Sequence, residues 1–192
     1  MSIEVKKCLT KNGIVIEGLY EIQPKVFKDD RGYFLETYSA RDFEAAGLDT
    51  NFVQDNESFS SKGVLRGLHY QKKYPQGKLV RAVQGRVFDV AVDIRKGSST
   101  YGEWYSVFLR SDLYNQFYIP KGFAHGFLVL SDTALFSYKC TEFYHGDDEG
   151  GIIFNDSAIG IDWPAIEGDF KDDFKIDANY IMSEKDKKWP RL

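Results

Sequence analysis

Five short stretches carry side chains able to move a proton or hold an anion: "GVLRGLHYQ" over 63–71, "QGKLVR" over 76–81, "PKGFAHGF" over 120–127, "SYKC" over 137–140 and "SEKD" over 183–186. The first sets Arg66, His69, Tyr70 and Gln71 among Val64, Leu65 and Leu68, which read as a buried strand. Polar groups are costly there unless satisfied, so these four either satisfy one another or face a pocket. An imidazole titrates near neutrality and can serve as a general base, which makes proton transfer the chemistry to consider. Arg66 and His69 are three apart, and a regular strand would send them to opposite faces; Gly67 between them fits a bulge that re-aims one of them. Each remaining candidate has a structural alternative. Lys78 could guard a sheet edge, Tyr138 shares the parity of Phe136 and Cys140, and Asp186 could form a capping pair with Ser183.

These side chains need a frame, and the sequence describes one. Segments rich in Val, Ile, Phe and Tyr alternate with turn signals at short spacing, the pattern of an antiparallel sandwich or barrel. "KVF" leads through "KDDRG" to "YFLETYS", and "KLVRAV" and "RVFDVAVDIR" flank Gln84-Gly85, which predicts a hairpin. In the second arm Phe88, Val90, Val92 and Ile94 alternate with Val87, Asp89, Ala91 and Asp93, giving one apolar and one mixed face. "EWYSVFLR", "NQFYIP", "GFLVL" and "ALFSYKC" continue the series, with a turn at Ser131-Asp132. "SARDFEAAG" predicts a short helix capped by Ser39 and ended at Gly47. From 161 the pattern changes to loop, with a helical "MSEKDKKW" near the end. The fold expected is a mainly β jelly roll with few short helices: one domain over 1–192, its core about 26–160, and a loop and short helical segment over 161–192.

The chain has 192 residues and a formal net charge of −4, which gives no bulk attraction for nucleic acid or an anionic membrane. Its start shows no signal peptide, no apolar run approaches a bilayer span, and Cys8 and Cys140 are too few for a disulfide scaffold. A cytoplasmic protein is expected. His125 lies in a Pro-x-Gly-x-x-His spacing that resembles the second signature of the cupin jelly rolls, where the histidine is often a metal ligand. Here the upstream pair would be His69-x-Gln71, the chain has only 3 His, and glutamine is a poor transition-metal ligand, so no metal is expected.

Seven stretches in order, "FKDDRGYFLETY", "FVQDNESFSSKGVLRGLHYQ", "QGKLVRAVQGRVFDVAVDIR", "STYGEW", "IPKGFAHGFLVLSD", "YKCTEFYH" and "IGIDWP", resemble the dTDP-4-dehydrorhamnose 3,5-epimerase family. The resemblance runs from about Val26 to Pro190. It implies a cupin-like jelly roll, a homodimer with exchanged strands, a dTDP-sugar substrate, and neither metal nor cofactor. It also implies that dTDP-4-dehydro-6-deoxy-D-glucose is inverted at C3 and C5 to dTDP-4-dehydro-L-rhamnose. Carried over by position, His69 is the base, Asp186 its carboxylate partner and Tyr138 the acid; the enolate of such an inversion also calls for a cation at the C4 oxygen, for which Lys78 is the candidate. The same carry-over implies that Tyr144 stacks on thymine and that Lys78 and His125 line the sugar pocket. Arg31, Glu36, Gln54, Asp55, Asn56, Arg66, Glu149 and Lys185 match substrate-contacting positions of the family, and Asp89 is added as a candidate behind them.

The chain departs from the family at Phe154, where tryptophan is frequent, and at Lys121, where glutamate is frequent. Three rival readings are a metal-dependent cupin enzyme, a non-catalytic sugar-nucleotide module, and a monoepimerase acting on a related dTDP-4-keto sugar.

Overall fold

The computed structural model describes residues 3–166 and 180–192. Thirteen strands follow in order: β1 (Ile3–Leu9), β2 (Val15–Pro24), β3 (Val26–Asp29), β4 (Gly32–Leu35), β5 (Gln54–Ser61), β6 (Leu65–Gln71), β7 (Lys78–Gln84), β8 (Arg86–Asp93), β9 (Trp104–Arg110), β10 (Gln116–Ile119), β11 (Phe123–Val129), β12 (Thr133–Cys140) and β13 (Glu149–Gly151). One helix, α1 (Ala40–Ala45), and one 3-10 turn, Asp186–Lys188, accompany them. The strands form a six-stranded sheet in the order β1-β2-β10-β7-β12-β5 and a five-stranded sheet in the order β13-β6-β11-β8-β9. A separate hairpin pairs β3 with β4. The inner faces enclose a core that includes Leu19, Val80, Val87, Leu109, Phe117, Phe127 and Phe136.

The hairpin expected at Gln84-Gly85 does not form: β7 pairs with β10 and β12, while β8 pairs with β11 and β9. Gly85 turns a corner between the two sheets. Its φ is +79°, and a Cβ there would overlap the Thr133 carbonyl and the Ser131 hydroxyl. The turn at Ser131-Asp132 is a second such corner, because β11 and β12 also belong to different sheets. The two are tied where the Ser131 hydroxyl accepts from the Arg86 amide at 2.8 Å. Turn chemistry alone cannot distinguish a hairpin from a corner, since both need a tight reversal at a left-handed residue.

The alternation in β8 also reads differently in three dimensions. Phe88, Val90 and Val92 pack under Ile159, Ile161 and Trp163, so the outer face of this sheet is buried as well. The mixed face, with Asp89 and Asp93, points between the sheets. Helix α1 lies across the other sheet, with Phe43 and Leu48 packed on Ile22, Leu79 and Tyr118. Ser39 begins it through its carbonyl, which accepts from Asp42 and Phe43 amides, and makes no side-chain cap. Apolar burial holds this short helix in place. Of the segment expected over 161–192, residues 167–179 lie outside those described. In the described part, Ile181 bridges Val64 beside β6, and "SEKD" reaches one 3-10 turn.

Asp93 fixes the loop after β8. Its carboxylate accepts from the Arg95 amide and guanidinium and from the Ser98 and Thr100 hydroxyls, all within 2.7–2.9 Å. Burial pushes this carboxyl up, but those donors outweigh it and leave it at about 2. A folded value below the ordinary one of about 3.9 stabilises the fold above that pH, and the contribution disappears as pH falls toward the folded value. Asp93→Asn is therefore expected to lower unfolding free energy by about 2–3 kcal/mol at neutral pH. In urea titrations the gap to the parent should close between about pH 4 and 2. A gap independent of pH would contradict this assignment.

Candidate active site

His69 comes to its position through a local irregularity in β6. In the pairing with β11, His69 sits opposite His125 and Arg66 opposite Phe127, so three steps along β6 match two along β11. This is the bulge that Gly67 suggested. A Cβ on Gly67 would lie 2.5 Å from the Gly126 Cα and 2.8 Å from the His125 carbonyl, and its φ is +127°. Only glycine permits both the conformation and the approach.

The imidazole faces an open cleft. Its wall includes His69, Lys78, Tyr138, Tyr144 and Glu149 on the polar side and Ile94, Pro75 and Phe123 on the apolar side. His69 Nε2 lies 2.7 Å from Asp186 Oδ1, a contact spanning 117 residues of chain. Asp186 is buried, and burial pushes its carboxyl up. Donors from His69, the Trp189 indole and the Gly67 amide prevail and hold it below the usual carboxylate range. An ionised carboxylate on Nε2 fixes that nitrogen as the protonated one, leaving Nδ1 to take a proton. Ser183 also caps the turn, its hydroxyl accepting from the Asp186 amide at 3.1 Å, so the structural alternative for this pair holds alongside the functional one.

Lys78 opens β7, which lies inside its sheet between β10 and β12, so it is no edge lysine. Burial pushes its ammonium below the usual lysine range, against the pull of Cys140, Asp89 and Glu149. Its Nζ stands 5.9 Å from the Tyr138 ring centroid. Burial likewise pushes the Tyr138 phenol up, so it stays protonated at neutral pH and can donate. His125 does not line the cleft. It is buried with both Asp89 oxygens at 2.9 and 3.0 Å from Nε2. Burial pulls His125 down and Asp89 up beneath Lys78, each against the attraction of the other. Among the described residues no group of three or more His, Cys, Asp or Glu side chains is placed to hold a metal ion.

At the mouth, the Tyr144 hydroxyl donates to Glu149 at 3.1 Å, and Lys185 meets the same carboxylate at 2.6 Å. Gln54 accepts from the Tyr144 amide and donates to Asn56, which donates to Cys140. Arg66 donates twice to Ser60 and borders a second hollow shared with His69, Lys185 and Asp186. Besides His125, three expected residues are not brought to the cleft. Asp55 alternates to the outer face of β5 and pairs with Lys139 at 3.0 Å. Arg31, at the tip of the β3–β4 hairpin, is 91% exposed and paired with Asp29, and Glu36 follows the hairpin on the surface.

Two contributors were not assigned from sequence. Trp189 donates from Nε1 to Asp186 Oδ1 at 3.2 Å; its only sequence signal is that it stands three residues after Asp186, across one 3-10 turn. Gln71 clamps the rim, donating to the Tyr74 and Phe143 carbonyls at 2.6 and 3.0 Å and accepting from the His145 amide at 2.7 Å.

A family model described as dTDP-4-dehydrorhamnose 3,5-epimerase matches residues 14–192. The dTDP-4-dehydrorhamnose 3,5-epimerase of Methanothermobacter thermautotrophicus is 52% identical over 177 residues, covering 92% of this chain and 91% of the relative. That of Escherichia coli is 54% identical over 155 residues, covering 80% and 84%. Among solved structures, a dTDP-6-deoxy-D-glucose-3,5-epimerase of Legionella pneumophila in complex with dTDP-4-keto-L-rhamnose is similar, with a TM-score of 0.86 and 45% identity over 98% of this chain and 92% of that one.

The Gln71 clamp gives an expectation independent of chemistry. Gln71→Ala strands three backbone groups and should cost about 1–3 kcal/mol. Hydrogen exchange should rise in Lys72–Tyr74 and Phe143–His145 together, since one side chain joins them. Exchange at the parent rate in either loop would contradict the clamp.

Proposed function

The chain belongs to the dTDP-4-dehydrorhamnose 3,5-epimerase family, and we propose that His69, held by Asp186, is the base of its reaction. The activity is that of a dTDP-4-dehydrorhamnose 3,5-epimerase, an isomerase acting on a dTDP-sugar. The observation carrying the site assignment is the 2.7 Å contact between His69 and a buried carboxylate at the wall of the cleft.

In this reading the substrate is dTDP-4-dehydro-6-deoxy-D-glucose. Nδ1 of His69 removes the proton from C3 or C5, and the electron pair moves onto the C4 oxygen as an enolate. Asp186 stabilises the imidazolium that forms. Lys78 meets the enolate oxygen, where a desolvated ammonium stabilises charge that is absent from the ground state. Tyr138 then returns a proton to the carbon from the opposite face, and exchange with solvent resets both groups. C3 and C5 flank one carbonyl, so one base and one cation serve both centres in turn. Tyr144 offers thymine a platform outside the sugar pocket, and Arg66 and Lys185 suit the diphosphate because cationic donors bind its oxygens strongly. Gln54, Asn56 and Glu149 orient the nucleotide end.

Arg31 and Glu36 enter the same reading through a second copy. The hairpin that carries Arg31 exposes Phe27, Tyr33 and Phe34, an apolar surface suited to burial. We therefore place Arg31 and Glu36 in the neighbouring cleft of a homodimer with exchanged strands. Among the described residues no helix is long and apolar enough to cross a membrane, and both cysteines are free and buried, which suits the reducing cytoplasm.

Turnover in D2O tests the reaction: deuterium should enter both C3 and C5 of the product. Label at one carbon alone would make the chain a monoepimerase, and label at neither would end the epimerase reading. His69→Ala should lose about three orders of magnitude or more in kcat, the upper range for general acid–base catalysis, while still binding dTDP. Asp186→Asn should lose less. Mixing Arg31→Ala with His69→Ala subunits should restore activity, since each mixed dimer contains one intact site. No restoration in verified mixed dimers would contradict the shared cleft.

A further inference from the structure

The carboxylate that orients His69 sits in the 3-10 turn Asp186–Lys188, a short element with little burial of its own. What holds it is the stretch that follows. The Ile153 amide donates to the Pro190 carbonyl at 2.9 Å, and the Leu192 amide donates to Asp156 at 2.7 Å. Arg191 reaches the Ser157 hydroxyl at 2.9 Å. Together these bonds lay residues 189–192 along the segment after β13.

Trp189 is where this strap meets the site. Its indole occupies a socket that exists because residue 151 is glycine: a Cβ there would overlap the ring. Gly151 is also the residue of β13 paired opposite His69, so the socket and the imidazole share one rung of the sheet. The indole ring stands 6.2 Å from the imidazole at 73°, and its N–H points to Asp186 Oδ1, the same oxygen that His69 engages. An indole nitrogen is a donor only, so it cannot reverse the polarity of this contact.

We propose that Trp189 is a positioning residue for proton transfer: its N–H and the Gly151 socket fix Asp186 Oδ1 in line with His69. The inference rests on the reading of His69–Asp186 as the base pair. Without the indole N–H, Oδ1 would have one fewer fixed donor and the carboxylate could rotate away from Nε2. Other charged and titratable groups around the pair stay in place: Lys185 and Glu149 at the mouth, and Lys78, His125 and Asp89 beneath. The effect should therefore fall on the chemical step and leave nucleotide binding alone.

Trp189→Phe in the full chain keeps a ring in the socket and removes the donor. With dTDP-4-dehydro-6-deoxy-D-glucose, kcat should fall about tenfold, the scale of one hydrogen bond to a charged group, with KM unchanged. The acid limb of kcat/KM should move to higher pH, because the carboxylate then shares its charge with His69 and the Gly67 amide only, one donor fewer. An unchanged kcat, or a loss confined to KM, would overturn the proposal. If that outcome came with an inactive His69→Ala, the base assignment would stand and the role of Trp189 alone would fail. Should the Phe variant not fold, the parent protein decides. In 15N-tryptophan-labelled protein, with 3 Trp to assign, the Trp189 indole N–H should titrate along with the acid limb. An indole resonance that does not move over that range would equally overturn the proposal.

Discussion

A buried carboxylate cannot stand alone, and the structure is arranged so that Asp186 does not. Its partner His69 lies 117 residues earlier in the chain, so the 2.7 Å contact between them exists only if two distant segments arrive in register. Each segment carries a device for this. On the side of His69, the bulge at Gly67 turns the imidazole toward the cleft and lets β6 close against Gly126. On the side of Asp186, the Val64–Ile181 bridge, the Ser183 hydroxyl and the Trp189 indole set the turn beside the same strand.

The rest of the cleft follows from keeping opposite charges close around a desolvated ammonium. Burial weakens the hold of Lys78 on its proton, and Asp89 and Glu149 resist that tendency. The His125–Asp89 pair beneath it satisfies two polar groups that would otherwise be orphaned in the core. An enolate forming on a substrate oxygen near Lys78 would add a counter-charge to those of Asp89 and Glu149. That makes the site complementary to a charge that exists only during reaction. Ile94, Pro75 and Phe123 add apolar surface to the same cleft.

The sequence displayed the class of fold because aromatic and β-branched segments between turns leave few alternatives. It did not display which strands pair. Gln84-Gly85 has the local chemistry of a hairpin, and only the crowding of Gly85 against Thr133 and Ser131 shows a corner between sheets. The site was partly legible for a similar reason. The spacing of Arg66, Gly67 and His69 announced a bulge, because period two is strict enough for its violation to be informative. Asp55 is the converse: it sits in a run with Gln54 and Asn56, yet the same period sends it to the outer face. Asp89 stood out as a polar interruption of β8 and as a candidate behind the substrate contacts, but its pairing with His125 needed the register of β8 with β11. Trp189 carried almost no signal, since nothing local links an indole to a glycine 38 residues earlier in the chain.

The central claim is that one histidine, oriented by one carboxylate, faces both carbons beside a single carbonyl. The most direct test is a structure of this chain with a dTDP-linked 4-keto-6-deoxy sugar bound. The account predicts the sugar between His69 and Tyr138, with His69 Nδ1 about 3–3.5 Å from C3 or C5, the range of a reacting pair. Lys78 should contact the C4 oxygen and Tyr144 the thymine. A sugar held away from His69, with the nucleotide occupying the pocket between Lys78 and Tyr138, would contradict it.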